Sequence, residues 1–266
     1  MMKYLLFLLS LSLLIAAPEC MATPEHQYKE MKKPEVSSHR GAPKPISLNL
    51  NGDVSAVLWK PDLSFVSVDV VNKQVSLPKS DTDNYHALIA TSNYNNVKST
   101  VIRYIYRHGK PSGHSTSELT KINKTDLEIT PDPVPREHSR YQSNEYWQFL
   151  IRFQGLPLID HLVILTTDNG SKLQLLTDKH GKVNFLIPDD FPNMVDNVRD
   201  KRQQEMHIET SISQGEKTWV TRLDVDYAIN PAHWQSTDWG TLVMALGFIA
   251  GAISIRFKKP VIRKVV

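Results

Sequence analysis

YWQFLIRFQGLPLIDHLVILTTDNGSKLQLLTDKHGKVNFLI, residues 146–187, decides the fold class. Apolar and polar residues alternate over Tyr146 to Phe153, and apolar residues recur through Leu162 to Thr166, Leu173 to Leu176 and Val183 to Ile187. A period of two places every second side chain on one face of an extended strand. The intervals are turn chemistry: Gly155-Leu156-Pro157-Leu158, Asp168-Asn169-Gly170-Ser171 and Thr177-Asp178-Lys179-His180-Gly181. Asn-Gly accepts the positive φ that two-residue hairpin loops demand. In the last turn, Asp178 can accept a hydrogen bond from an amide two residues on, and Gly181 can take the left-handed conformation that a Cβ resists. Short strands at this spacing leave no length for helices between them, so the stretch reads as an antiparallel sheet.

The same pattern continues in both directions. Met206 to Ser213 and Thr218 to Tyr227 form a hairpin about Gln214-Gly215, after a polar segment, Asn193 to Gln204, that is either a short exposed helix or a charged loop. On the N-terminal side, Ile46 to Leu50, Val54 to Trp59, Phe65 to Val71, Lys73 to Leu77, Tyr85 to Ala90 and Ser99 to Arg107 are β-branched or aromatic runs split by turn residues. His108 to Ser117 reads as a loop or hinge, and Leu119 to Ile129 as a strand stopped by Pro131, Pro133 and Pro135. The fold class is therefore all-β, a sandwich, with an N-terminal β unit at 46–112 and a second one at 113–234.

The two ends differ from this middle. Lys3, an apolar run from Tyr4 to Ala17 and the helix-breaking Pro18 have the order of a secretory signal, 1–22, cleaved after Ala22 or after Ala17. Residues 23–45 are rich in Pro, Lys, Glu and Ser and too poor in large apolar residues to bury themselves, which makes them a flexible linker. Trp239 to Ile255 is uncharged and is followed by Arg256, Lys258, Lys259, Arg263 and Lys264. Tryptophan favours one interface of a bilayer and cations mark the cytoplasmic side, so 235–257 is expected to be a transmembrane helix and 258–266 a basic cytoplasmic tail. Gly247 and Gly251 stand at the small-xxx-small spacing through which two such helices can pair. The expected location is a bacterial inner membrane, single-pass, with the β portion periplasmic.

Charge excludes one class of partner. Setting aside Lys3, Glu19 and the five tail cations takes 31 basic residues to 25 and 28 acidic ones to 27, about −2 overall. A nucleic-acid-binding surface needs the opposite sign. The single cysteine, Cys20, lies within the signal, so disulfide and thiolate chemistry are not expected in the mature chain. No GxSxG elbow, HExxH, HxxxH, CxxC or P-loop occurs, and no catalytic residue is nominated. Ten histidines are present, of which His108 and His114 flank a glycine-containing loop and His138 follows the prolines. Neutral imidazoles ligate nickel, copper or zinc, which makes His108, His114 and His138 the metal candidates. Asp178, Asp189 and Asp190 form a weaker calcium alternative, since calcium takes six or more oxygens.

The order Phe153-Gln154-Gly155-Leu156-Pro157-Leu158, then Asn169-Gly170, then Thr177-Asp178-Lys179-His180-Gly181-Lys182-Val183-Asn184-Phe185 resembles carboxypeptidase regulatory-like domains. The stretch from Leu127-Glu128-Ile129-Thr130-Pro131 to Pro188 is also similar to a periplasmic family associated with nickel or cobalt uptake. The resemblance implies an immunoglobulin- or transthyretin-like sandwich. Together with the ends, it implies a membrane-anchored, non-enzymatic binding or accessory module acting on a membrane or envelope protein. The alternative is an accessory that handles nickel, cobalt or copper for an uptake or assembly system.

Overall fold

The computed structural model describes residues 45–137, 139–235 and 237–256. The expected signal, nearly all of the linker, His138 and the basic tail lie outside them. The chain opens with β1 (Ile46–Ser47), β2 (Val54–Trp59), β3 (Phe65–Val68), β4 (Val70–Val71) and β5 (Gln74–Val75). Two long strands follow, β6 (Asn84–Tyr94) and β7 (Val97–Arg107), then a one-turn-and-a-half helix α1 (Thr116–Lys121). Next come β8 (Leu127–Pro131), β9 (Tyr141–Gln142), β10 (Tyr146–Phe153), β11 (Leu156–Pro157), β12 (Leu162–Thr167), β13 (Lys172–Leu176) and β14 (Lys182–Leu186). The paired strands β15 (Gln203–Gln214) and β16 (Lys217–Ala228) precede helix α2 (Thr237–Arg256).

The molecule is built of β-sheets, as the alternation requires. One long sheet runs β13-β12-β15-β16-β7-β6-β2-β3, with β9 attached to the end of β16. Its neighbours are antiparallel except along β16, where Thr218 to Leu223 lie parallel to Val97 to Ile102 of β7 and Tyr227 and Ala228 lie parallel to β9. Strands from 46–112 and from 113–234 thus lie side by side in one continuous sheet. A four-stranded sheet, β11-β10-β14 with β8 on the other side of β10, packs over part of it. Phe149, Ile151 and Phe185 from that sheet share one core with Val163, Leu165, Met206, Ile208 and Leu223 of the long sheet. A small sheet, β1-β5-β4, covers a second core made of Leu48, Leu50, Leu58, Val75, Leu88 and Val101.

β6 shows why alternation weakens along its length. Tyr85, Ala87 and Ile89 face the first core while Leu88 and Ala90 face the second. A strand covered on both faces has no solvent side to be polar on. The hairpins of residues 146–187 form as read: the main chain of Thr167 and Ser171 closes the Asn169-Gly170 turn, and Asp178 Oδ1 accepts from the amides of His180 and Lys182 at 2.8 and 2.9 Å. Gly181 has φ +72°, and a Cβ there would lie 2.7 Å from Pro157 Cβ and 2.9 Å from the Ile151 carbonyl. Glycine is thus demanded both by conformation and by the closeness of β10 and β11.

Two segments differ from expectation. Leu119 to Ile129, read as one strand, begins inside α1 and becomes strand only at Leu127. The reason is a capping box: Ser115 caps the first turn and the Glu118 side chain reaches back to the Ser115 amide at 3.0 Å. Leu119 then turns wholly into the main core. Asn193 to Gln204 is turns and loop, entering β15 only at Gln203.

α2 occupies the position expected of the anchor. Its apolar residues are exposed, Phe248 by 74% and Leu242, Val243, Met244, Leu246 and Ile249 by 48–65%. Among the described residues no helix is long and apolar enough to cross a membrane; the side chains described on α2 run from Gly240 to Ala252. A Cβ added at Gly247 or Gly251 would meet open space.

A candidate cation site at the base of the long hairpin

β6 and β7 pair over eleven residues each, ending at Asn84 opposite Arg107. Past the ladder the two chains stay joined by a parallel bridge between Thr82 and Lys110: the Asp83 amide donates to the Lys110 carbonyl at 2.7 Å and the Lys110 amide to the Asp81 carbonyl at 2.9 Å. Gly109 is what lets the two chains come this close, since a Cβ there would sit 2.4 Å from the Thr82 nitrogen. Asp83 and His108 consequently face each other. Tyr106 and His108, two residues apart, project on the same side, and their rings are 5.4 Å apart.

A third group comes from the segment after β8. Asp132 is held by its own amide, which donates to the Gln148 carbonyl at 2.9 Å, and by Lys182 Nζ at 2.8 Å from its carboxylate. From there Pro133, Val134 and Pro135 carry the chain across to the hairpin, where Glu137 joins Asp83 and His108. His108 Nδ1 is 3.6 Å from Asp83 Oδ1 and 3.8 Å from Glu137 Oε1. Tyr106 donates its hydroxyl to Asp83 Oδ2 at 2.7 Å. Desolvation, followed by hydrogen bonds to the Asp83 and Glu137 carboxylates, pushes the Tyr106 phenol well above its ordinary value. It stays a neutral donor. A cleft of about 400 Å³ opens beside these groups, walled by Thr116 and Thr120 of α1 and by Pro133 and Glu137 opposite.

The wall formed by α1 depends on buried charge. Glu128 in β8 is fully buried and lies 2.6 Å from Lys124 Nζ and 3.0 Å from Arg152 Nη2. The two cations also serve the end of α1: Arg152 donates to the carbonyls of Lys121, Thr120 and Ile122 at 2.8, 3.0 and 3.2 Å, and Lys124 to those of Leu119 and Ile122 at 3.0 Å. A short helix with unpaired terminal carbonyls would fray. Here the ion cluster caps it and anchors it to β8 and β10.

The histidines read from sequence are distributed differently from the expected set. His108 is part of the cluster. His114 instead puts Nδ1 3.0 Å from Glu118 Oε2, inside the cap of α1, and His138 lies outside the described residues. Neither Asp83 nor Glu137 was among the metal candidates read from the sequence. Asp83 could have been found by extending the hairpin register one step beyond Asn84; nothing local announces Glu137. The three carboxylates of the calcium alternative are engaged apart from one another. Asp178 is satisfied by its own turn, Asp189 pairs with His233 Nε2 at 2.8 Å, and Asp190 accepts from Thr167 and Tyr227, both at 2.5 Å.

A second polar network lies on the long sheet. His207 Nδ1 is 2.7 Å from Asp224 Oδ1, Arg222 Nε is 2.7 Å from the same oxygen, and Arg103 bridges to Glu205 at 2.6 Å. The hydrogen bond to Asp224 raises the His207 imidazole above its usual value. Burial works to raise the Asp224 carboxyl, but His207 and Arg222 outweigh it and hold the group below its usual range. Every charge in this network has a partner, which makes it a stabilising feature of the sheet.

An imidazole between two carboxylates can hold a cation or relay a proton. Thr116, on the cleft wall, donates to Asn84 Oδ1 at 2.8 Å. The chain matches no protein-family model and no curated protein.

Proposed function

We propose that the chain is a membrane-tethered, non-enzymatic β-sandwich module that binds a protein or envelope partner outside the cytoplasm. One observation carries this reading: α2, apolar on the side chains described and exposed along them, follows β16 after only a short 3-10 turn at Pro231–His233. An isolated helix of this composition in water would expose a contiguous apolar surface, which soluble domains avoid. Lipid is the medium that suits it. In sequence the apolar run continues through Ile253 and Ile255 to the five cations, and the uncharged stretch from Trp239 to Ile255 measures about 26 Å as a helix. That supports a single pass with the tail in the cytoplasm, and pairing of two chains through Gly247 and Gly251.

Within the β portion, the immunoglobulin-like reading is supported by two packed sheets and by turns that suit the carboxypeptidase regulatory-like pattern at Gly155 and Gly181, both at positive φ. Recognition falls to edges and loops. The edge strand β13 and the neighbouring segment expose Leu156, Ile159, Leu162, Leu175 and Leu176.

Membrane fractionation tests the reading. The full chain stays with the membrane after alkaline carbonate extraction, and protease added to spheroplasts degrades the β portion. Recovery of the full chain in the soluble fraction, or protection of the β portion from that protease, refutes it.

A further inference from the structure

We propose that Asp83, His108 and Glu137 form a binding site for one divalent transition-metal ion of the zinc, nickel or cobalt kind, independent of the membrane reading above. The first argument is spacing. One donor atom from each residue lies within 4.8 Å of the others, and the imidazole stands 3.6 and 3.8 Å from the two carboxylate oxygens. Those separations are too long for hydrogen bonds. They lie close to the edge of a tetrahedron around an ion with bonds of about 2.0–2.1 Å, which is about 3.3 Å. The imidazole needs to close on each carboxylate by only about half an ångström around an ion, and the two carboxylate oxygens lie within 4.8 Å of each other.

The second argument is how the donors are held. Tyr106 occupies one oxygen of Asp83 and leaves the other directed at His108. Metal ligands characteristically have such an outer partner that fixes their orientation. The main chain of Asp83 is pinned by Lys110, and the Thr82–Lys110 bridge with its Gly109 contact sets the distance to His108. Glu137 is delivered separately, by the proline segment anchored at Asp132. The adjoining cleft of about 400 Å³ gives an ion a route in and leaves room for water to complete its coordination.

The third argument is chemical selectivity. One imidazole with two carboxylates suits borderline divalent ions. Calcium needs six or more oxygens, and copper(I) prefers thiolates or thioethers; neither set is assembled here. A bound ion would tie the Pro133–Glu137 segment to the base of the β6–β7 hairpin, and so fix the mouth of the cleft.

The experiment uses the full chain purified in detergent and stripped with EDTA. Zinc is titrated against a chromophoric chelator, and cobalt is added in parallel so that its visible absorption bands report the geometry. One equivalent of zinc bound, with tetrahedral or five-coordinate cobalt bands, is expected. His108→Ala and Glu137→Gln each weaken binding at least about tenfold, and Tyr106→Phe weakens it by about 10- to 100-fold through loss of orientation. Near-UV circular dichroism of each stripped variant shows whether the fold is kept; Glu137→Gln, in an exposed loop, is the variant least able to disturb it. His114→Ala leaves binding unchanged. The proposal is overturned if no zinc binds, if the folded Glu137→Gln variant binds as the parent does, or if His138→Ala abolishes binding while His108→Ala does not.

Discussion

Replacing Glu128 by glutamine should destabilise the β portion by about 3–5 kcal/mol, because it strands two cations. Glu128 and the Lys124 side chain are completely buried, and the Arg152 side chain is 9% exposed. The amide of glutamine keeps shape and one acceptor but neutralises the charge that offsets the desolvation of Lys124 and Arg152. Burial already holds the Lys124 ammonium below its ordinary value, with Glu128 acting against that; without Glu128 the fall deepens. At about 2–4 °C per kcal/mol for a unit of this size, the melting temperature should drop by about 6–20 °C. Thermal unfolding of the full chain in detergent, followed by near-UV circular dichroism, reads this directly. The loss should shrink as pH is raised toward the lysine range, since a deprotonated Lys124 no longer strands a charge. Asp132→Asn is the comparison: its partner Lys182 is 34% exposed and Asp132 itself 44%, so its loss should be about 0–1 kcal/mol. Apolar replacement of all three buried residues, harmless in some proteins, should still destabilise this one, because the carbonyls ending α1 lose their donors. A drop of less than about 3 °C for Glu128→Gln would refute the argument.

Other outcomes follow from the same structure. His207 has a raised imidazole value, so its contribution to stability is complete below its unfolded value of about 6.5 and disappears as pH rises through the folded one. Asp224, held low, contributes above its unfolded value and loses that as pH falls through the folded one. His207→Gln should therefore lower the melting temperature more at pH ~5.5 than at pH ~8.5; an equal effect at both would exclude the linkage. Gly181→Ala should cost at least about 1–2 kcal/mol for the left-handed backbone alone, with the contacts to Pro157 and Ile151 adding to it, and equilibrium unfolding checks it. Gly109→Ala should cost about 1–3 kcal/mol as an overpacked contact and should weaken zinc binding by spreading Asp83 from His108. Met244→Arg combined with Ile249→Arg, each costing about 2.5–3.5 kcal/mol at a bilayer centre, should release the chain from membranes in a carbonate extraction.

Strands and turns were legible where one face of a strand meets the core and the other meets water. Residues 146–187 satisfy that condition, so their alternation and their Asn-Gly and Asp-x-x-Gly turns translated directly into β10 to β14. β6 was legible only in part, since cores on both of its faces remove the polar positions that mark a strand's outer side. α1 was missed because six residues are too few to show a helical period; its capping box, Ser115 and Glu118, was the available signal. Of the candidate site, His108 was visible as a loop histidine beside glycine. The partners that give it a chemical meaning came from elsewhere in the chain, 25 residues before it and 29 after it.

By itself, the sequence determined the all-β class, the hairpins and the placing of the C-terminal helix, because each follows from the periodicity and turn chemistry of neighbouring residues. Tertiary structure decided which strands share a sheet and which side chains meet. The parallel seam between β7 and β16, the buried triad of Lys124, Glu128 and Arg152, and the meeting of Asp83, His108 and Glu137 all join residues whose proximity no local pattern encodes. Such contacts form only when a whole sheet has closed, since their energy depends on burial and on distances that other strands impose.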